Sequence, residues 1–358
     1  MNISLKRTFL FLLLFLFLSP ASAQSEHGDN DEREPWSYRL GEGLRIDGTH
    51  FYLGGYINFK YIDAEEKRAT LALENLSLFV FGDIGERSRF FAELEDEEIF
   101  EVDSKGETES ENNVRIERLY ADYLYSDHLK VRVGKFFTPV GAWNETHAPP
   151  LTWTVSRPIV TFASFPEDVT GLQLFGNFTL LDEDFFYTLA AQRMESIDEE
   201  TGFRRTHEFA GGRLRWLGSP GLEIGVPLIY YEEYEIKDKI HLTGLDFIYK
   251  SSPFELRGEA SYADVTLEQG GKVKEYGYYL QGVSGITERL SIVLRYDFFH
   301  AREGEKHHES VTTGLVYKPS PPVVFKIECQ ERSGGLIYTG EESIDDGERL
   351  LASFSVLL

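Results

Sequence analysis

From Phe51 to Leu358 the chain repeats a run of about ten residues in which apolar and polar positions alternate. A period of two places successive side chains on opposite faces of a strand. In the run that begins at Leu290, apolar residues at 290, 292, 294, 296 and 298 oppose Ser291, Arg295 and Asp297. About sixteen such runs follow one another, so the pattern predicts an all-β chain of about 16 strands.

Short and long connectors alternate between these runs. Short turns are expected at 83–87, 126–128, 180–184, 218–221, 251–253, 286–289 and 318–322. Long polar loops are expected at 63–68, 96–113, 135–169, 193–207, 232–239, 264–275, 301–309 and 331–348. In an up-and-down barrel, short turns collect at one end and long loops at the other, and outer-membrane barrels have this asymmetry.

Aromatic residues at the strand ends beside the short turns have apolar-face parity. They are Tyr125, Phe178, Phe185, Trp216, Tyr249, Phe254 and Tyr317. Such residues typically form a girdle at a membrane interface. In a membrane only a closed barrel satisfies every backbone group of a sheet. We therefore predict a transmembrane antiparallel β-barrel of about 16 strands; a soluble β-sandwich or propeller, which also alternates, is the other interpretation.

The N-terminus has the features of an export signal. Lys6 and Arg7 precede an apolar run over 9–18, and Ala21-Ser22-Ala23 fits a cleavage site. We expect a cleaved signal peptide at 1–23, a short periplasmic segment at 24–48 and an outer-membrane barrel at 49–358; an uncleaved anchor is the alternative. The last strand places residues 350, 352, 354, 356 and 358 on one face, as bacterial outer-membrane barrels often do.

Composition and charge restrict the classes of molecule that this protein is expected to bind. The formal net charge is −24, and loss of the signal would also remove the positive charges of Lys6 and Arg7, which argues against nucleic acid as a partner. The single cysteine, Cys329, permits no internal disulfide and has lipid-face parity. No cofactor is expected, and no metal site is assigned. The expected partners are outer-membrane lipid, lipopolysaccharide and the barrel-assembly machinery.

The loop at 135–169 differs in kind from the others. It contains Phe136, Phe137, Trp143, Trp153, Ile159, Phe162 and Phe165, together with five prolines. A long loop without regular structure is usually functional or disordered, and such an apolar composition argues for packing. We predict that this third loop folds into the lumen and narrows it. A lid, or a contact between protomers, is the alternative.

The segment from Val131 to Gly141 resembles the phosphate-selective porin O/P family of Gram-negative outer-membrane porins. It contains the family's G-K-F-x-T-P-x-G pattern as Gly134-Lys135-Phe136-Phe137-Thr138-Pro139-Val140-Gly141. The opening strand, 51–57, looks like that family's first strand, although Tyr56 stands where Arg is common. The resemblance implies a sixteen-stranded porin, ion transport and a homotrimer.

Phosphate selection requires closely spaced cations. The candidate residues at the pore constriction or for solute binding are Arg118, Lys130, Arg132, Lys135, Arg157, Arg213, Arg215 and Arg295. Acidic residues with lumen parity are about as many, and further acids occur in the loops, among them 95–111 of the second loop. The sequence therefore predicts a channel for small hydrophilic solutes or ions, with anions such as phosphate and cations both left open.

Other functional classes have weaker sequence support. An outer-membrane enzyme would need a Ser-His constellation, but His300, His307 and His308 have no matching serine motif, so we expect no enzyme. A non-conducting barrel that acts as an anchor or receptor through its acidic loops is the main alternative. A sugar channel would need a row of lumen-side aromatics; Phe91, Tyr120 and Tyr231 are scattered in sequence.

Overall fold

The computed structural model describes residues 36–39, 43–46, 48–65, 67–110, 113–194, 197, 204–218, 220–302, 307–334, 337–338, 343–344 and 346–358. Strands account for most of these residues. Within these residues the strands are β1 (Trp36–Arg39), β2 (Gly43–Ile46), β3 (Phe51–Ala64), β4 (Thr70–Ile84), β5 (Ser88–Asp103), β6 (Thr108–Glu109), β7 (Asn113–Ser126), β8 (Leu129–Phe137), β9 (Asp168–Leu180), β10 (Glu183–Gln192), β11 (Thr206–Leu217), β12 (Leu222–Glu233), β13 (Lys239–Ser251), β14 (Phe254–Thr266), β15 (Lys272–Gly285), β16 (Leu290–His300), β17 (His307–Ser320), β18 (Val323–Ser333), β19 (Ile337–Tyr338), β20 (Ser343–Ile344) and β21 (Gly347–Leu357). Two short helices, α1 (Ala142–Glu145) and α2 (Ile159–Ala163), lie between β8 and β9. Within the described residues, no helix is long and apolar enough to span a membrane.

Sixteen of the described strands form a closed antiparallel barrel, which confirms the predicted fold class. Each barrel strand pairs with the next, from β3 to β18 and then β21, with β6 as a side strand of β5. β21 pairs back with β3, so that Phe354 lies opposite Phe59. Closure leaves no open edge in the barrel, as a sheet surrounded by lipid requires.

The two faces of the barrel have opposite character because side chains alternate along each strand. Leu78 on β4, Val133 on β8 and Leu228 on β12 are 47%, 58% and 67% exposed on the outer face. The predicted girdle residues Tyr125, Tyr249 and Phe254 are also exposed, beside the short turns. Cys329 is exposed too. An outer face of this composition matches the lipid-facing surface of a transmembrane barrel.

The connectors largely follow the predicted order of short turns and long loops. One boundary differs: the sequence predicts Glu95 and Glu97 in the acidic second loop, but β5 continues to Asp103, so both residues lie within a barrel strand. The predicted lead-in at 24–48 contains a β1–β2 hairpin, and β2 pairs with β3. The predicted signal peptide at 1–23 lies outside the described residues.

Candidate functional site

The third loop, residues 138–167, leaves the wall where β8 parts from β7. β8 pairs with β7 only as far as Lys135 but with β9 as far as Phe137. Gly134, with a φ of 132°, lies so close to Leu119 that a side chain would meet its carbonyl oxygen. The Lys135 ammonium donates to the Ile116 carbonyl, 2.7 Å away, where the strands separate. The glycine and lysine of the G-K-F-x-T-P-x-G segment therefore have structural roles at this departure point.

The rest of the segment holds the two ends of the loop together. The Thr138 hydroxyl donates to the Pro166 carbonyl at 2.7 Å, and the Thr138 amide donates to Glu167 at 2.9 Å. Asn144 also donates to the Thr138 carbonyl, at 3.1 Å. The loop is thus closed on itself at its base, which restricts where its middle part can lie.

Helix α1 is fixed to the inner wall by Glu259 of β14. The Glu259 carboxylate accepts hydrogen bonds from the backbone amides of Ala142 at 3.1 Å and Trp143 at 2.7 Å. The Tyr279 hydroxyl donates to the same carboxylate at 2.9 Å. Gly141, with a φ of 70°, precedes the helix in a conformation that favours glycine. A side chain at Gly141 would also meet the Glu259 carboxylate.

A second set of polar contacts fixes the middle of the loop to β16 and β18. The Arg295 guanidinium donates to the Ser156 carbonyl and hydroxyl, both at 2.8 Å, and to Asp297 at 2.7 Å. Glu328 accepts from the backbone amides of Val155 at 2.8 Å and Ser156 at 2.9 Å. Charged side chains of the inner wall therefore supply the hydrogen bonds that the irregular loop backbone needs inside the barrel.

Apolar contacts also hold the third loop against the inner wall of the barrel. Ile159, Val160, Phe162 and Ala163 of α2 pack with Tyr279 and Phe299 of the wall. Phe165 and Val140 join a larger buried cluster that includes Phe209 and Ile240. The prediction that the aromatic loop folds against the inner wall therefore agrees with its contacts.

A cavity of about 310 Å³ remains between the third loop and the wall near β3 to β7. Its charged lining is mainly acidic: seven carboxylates face four arginines and one histidine. The carboxylates are Glu74, Glu95, Glu97, Glu98, Glu117, Glu167 and Asp168, and the bases are Arg115, Arg157, Arg204, Arg205 and His147.

Two loop residues in this cavity have shifted pKa values. Burial favours the neutral form of His147, but the charges of Glu167 and Glu117 outweigh it and raise its pKa. Burial would raise the pKa of Glu167, but Arg157 and His147 together hold it well below its usual range. His147 and Glu167 therefore form a charged pair when the imidazole is protonated, with Nε2 and Oε1 3.1 Å apart.

Seven of the eight predicted basic site residues have carboxylate partners. The pairs are Arg118–Glu93, Arg132–Asp122, Lys135–Asp168, Arg157–Glu167, Arg213–Asp246, Arg215–Glu145 and Arg295–Asp297. Lys130 has no ion-pair partner among the described residues and lies 5.9 Å from the Phe175 ring. Lys135 and Arg295 are fully buried, so they hold the loop in place and do not face solute in this structure.

Sequence reasoning missed Arg115, Glu117 and His147. The register between β5 and β7 shifts at Glu93 and Leu94, which leaves Glu117 without a cross-strand partner. This bulge turns Glu117 to the inner side, although its parity with Leu119 predicts the lipid face. His147 lies within the aromatic third loop, and this position is the sequence feature that indicates it.

Of the three aromatic residues that the sequence places on the lumen side, Phe91 and Tyr120 belong to a row of neighbouring rings. Tyr52, Phe81, Phe91 and Tyr120 lie directly opposite one another on β3, β4, β5 and β7. Successive ring centroids are 5.2, 6.3 and 5.3 Å apart. The Arg132 guanidinium lies 3.6 Å from the Tyr120 ring centroid. Tyr231 is not part of this row, because it is buried beneath the third loop, where its hydroxyl donates to Ser164.

Solved structures define the class of fold. OmpT of Vibrio cholerae superposes with a TM-score of 0.66 at 9% identity, covering 88% of this chain and 100% of that one. The anion-selective porin from Comamonas acidovorans gives 0.64 at 14% identity, covering 87% and 100%. The outer membrane channel DcaP of Acinetobacter baumannii gives 0.56 at 13%, covering 88% and 99%. The fold is therefore that of the outer-membrane porins.

Sequence comparison places the chain more narrowly. It is 30% identical over 352 residues to an uncharacterized protein of Aquifex aeolicus (strain VF5), covering 82% of this chain and 80% of that protein. The chain belongs to the same family as that protein. The sequence matches none of the established protein-family profiles, so the phosphate-selective porin O/P family is not confirmed.

Proposed function

We propose that this protein is a channel of the outer membrane through which small hydrophilic solutes and ions diffuse. The observation that carries this proposal is a closed sixteen-stranded barrel with a third loop bonded to its inner wall. The loop occupies lumen that would otherwise be open, so we propose that it sets the narrowest part of the passage. The porin fold of the structural neighbours supports the same function.

We propose a preference for cations over phosphate. A phosphate site requires cations whose charge is not already neutralised, whereas only Lys130 of the eight predicted bases lacks a described carboxylate partner. The cavity beside the third loop has more carboxylates than arginines. Fixed negative charge in a confined passage raises the local cation concentration.

The test is conductance in a planar lipid bilayer. Purified protein should give stepwise current increments, and under a potassium chloride gradient the reversal potential should have the sign of a cation-preferring channel. Replacing chloride by phosphate should not increase the anion current. A folded barrel that never conducts would overturn the channel and favour the anchor or receptor alternative, whereas phosphate preference would overturn only the ion assignment.

The aromatic row supports a second candidate, the passage of sugars or other ring-bearing organic solutes. Tyr52, Phe81, Phe91 and Tyr120 form one inner stripe on which a ring can stack. Such solutes should interrupt the current transiently in the wild type but much less in Phe91→Ala. Phe185→Ala removes an aromatic ring from the predicted girdle and serves as the control. Equal interruption in all three proteins would exclude this candidate.

We propose no catalytic activity. His300 stacks on Tyr276 with centroids 4.8 Å apart, and His307 stacks on Phe298 at 5.9 Å, which gives both histidines an aromatic setting.

We further propose export by a cleaved signal at 1–23, assembly by the barrel-assembly machinery, contact with lipopolysaccharide, and a homotrimer. The native mass in mild detergent tests the oligomeric state.

A further inference from the structure

Three ligand-type side chains meet at one side of the cavity. Glu117 comes from the bulge of β7, His147 follows α1, and Glu167 lies at the end of the third loop. His147 Nε2 lies 3.4 Å from Glu117 Oε1 and 3.1 Å from Glu167 Oε1. One ligand atom from each of the three residues lies within 4.8 Å of the other two.

We propose that Glu117, His147 and Glu167 bind a divalent transition-metal ion of the Zn²⁺ type between the third loop and the barrel wall. One imidazole and two carboxylates form a donor set that suits borderline metals such as Zn²⁺ and Co²⁺. Tetrahedral coordination with bonds of about 2.0–2.1 Å places neighbouring ligand atoms about 3.3 Å apart. The two separations from His147 Nε2 are close to this value.

The surroundings orient each ligand atom. His147 Nδ1 lies 3.0 Å from the Asn144 carbonyl, so a proton on Nδ1 can be donated there and leave the Nε2 lone pair for a metal. Arg115 Nε lies 3.1 Å from Glu117 Oε2, and an Arg157 nitrogen donates to Glu167 Oε2 at 2.8 Å. Each arginine thus engages one oxygen of its carboxylate, while the other oxygen is directed at the imidazole.

An unsatisfied atom points to a ligand independently. Glu117 is only 3% exposed, and within the described part of the chain its Oε1 makes no hydrogen bond of good geometry, its nearest partner being His147 Nε2 at 3.4 Å. A buried polar atom left in this state destabilises the folded chain. A bound cation would satisfy this oxygen. His147 and Glu167 are partly exposed, so an ion can reach the cluster from the cavity.

Local charge also favours a bound cation. The carboxylates linked by ion pairs around the cluster are Glu95, Glu97, Glu117, Glu167 and Asp168, and the permanent cations in these pairs are Arg115, Arg157 and Lys135. The carboxylates in these pairs outnumber the permanent cations, which favours a bound cation over a bound anion.

The test is metal binding by the purified full-length barrel in detergent, measured without any conductance assay. Co²⁺ should give visible absorption bands that saturate at one ion per chain and disappear when Zn²⁺ is added. His147→Ala and Glu167→Gln should each weaken Co²⁺ binding by roughly tenfold or more. His307→Ala, which removes an exposed histidine near another loop, should bind as the wild type does.

The electrophoretic mobility of each variant, measured without prior denaturation, shows whether its barrel is intact. Absence of saturable Co²⁺ binding in the folded wild type would overturn the metal site, as would equal loss in His147→Ala and His307→Ala. If His147→Ala fails to fold, Glu167→Gln decides alone. Because the assay needs no membrane, a failure here is separate from a failure of the channel proposal.

Discussion

At the scale of single residues, Arg295 is a buried charge whose removal should be costly. It is fully buried and pairs with Asp297, which is 1% exposed, while also donating to Thr154 at 2.7 Å. Arg295→Met leaves the carboxylate buried without its cation, which typically costs about 3–5 kcal/mol. We expect the midpoint of denaturant unfolding to fall accordingly.

Arg89→Met is the matched control, because Arg89 pairs with Asp83 at a short turn and the two side chains are 60% and 55% exposed. Its effect should be about 1 kcal/mol or less. The double variant Arg295→Met with Asp297→Leu should recover part of the lost stability, since it removes both charges. Equal destabilisation by the two arginine variants would contradict the structural role of Arg295.

The face of most barrel residues could be predicted from the sequence, because parity alone sets it. Leu294 and Arg295 fall on the outer and inner sides as the period of two requires. Parity fails at Glu117, where one extra residue in β7 reverses the alternation. The ion-pair partner of each charged side chain could not be predicted from the sequence either, since Arg132 and Asp122 meet only through the strand register.

At the scale of elements, the contact of α1 with the wall depends on Gly141. Gly141→Ala places a side chain against Glu259 and imposes a positive φ on alanine, with a strain of roughly 1–3 kcal/mol. We expect α1 to leave the wall and the single-channel conductance to rise. Protease cleavage within residues 138–167 should become faster.

Gly85→Ala separates the steric contact from the backbone strain. Gly85 has a φ of 71°, nearly that of Gly141, but an added side chain there meets open space. It should change neither conductance nor cleavage. If both alanine variants leave the conductance at the wild-type value, the third loop does not set the width of the passage.

The order of elements was predictable because turn chemistry and alternation are local properties. The end of β5 was not, since its acidic residues resemble a polar loop until Arg115 of β7 is seen beside Glu95 and Glu97. The path of the third loop also depends on partners more than 100 residues away, such as Glu259 for Trp143. Composition indicated that the loop packs, but not which wall residues receive it.

At the scale of the whole molecule, the large negative charge divides into two populations with different expected effects. Acids at exposed turns face bulk solvent, where the Debye length is about 10 Å at 0.1 M salt. Acids that line the cavity act on ions over a short distance with little intervening water. These populations could not be separated from the sequence alone, because Glu95 and Glu107 occur in one acidic stretch. We therefore expect ion preference to follow the inner acids and not the total charge.

Glu74 and Glu107 test this expectation as a matched pair. Glu74 lines the cavity and pairs with Lys60, whereas Glu107 pairs with Arg68 at an exposed turn and is 69% exposed. Each substitution by Gln removes one negative charge and one ion pair. Glu74→Gln should lower the cation-to-anion permeability ratio by about twofold, while Glu107→Gln should leave it unchanged because salt screens that charge. Reversal potentials measured across a potassium chloride gradient give both ratios, and a larger shift from Glu107→Gln would place the selective charge at the mouth.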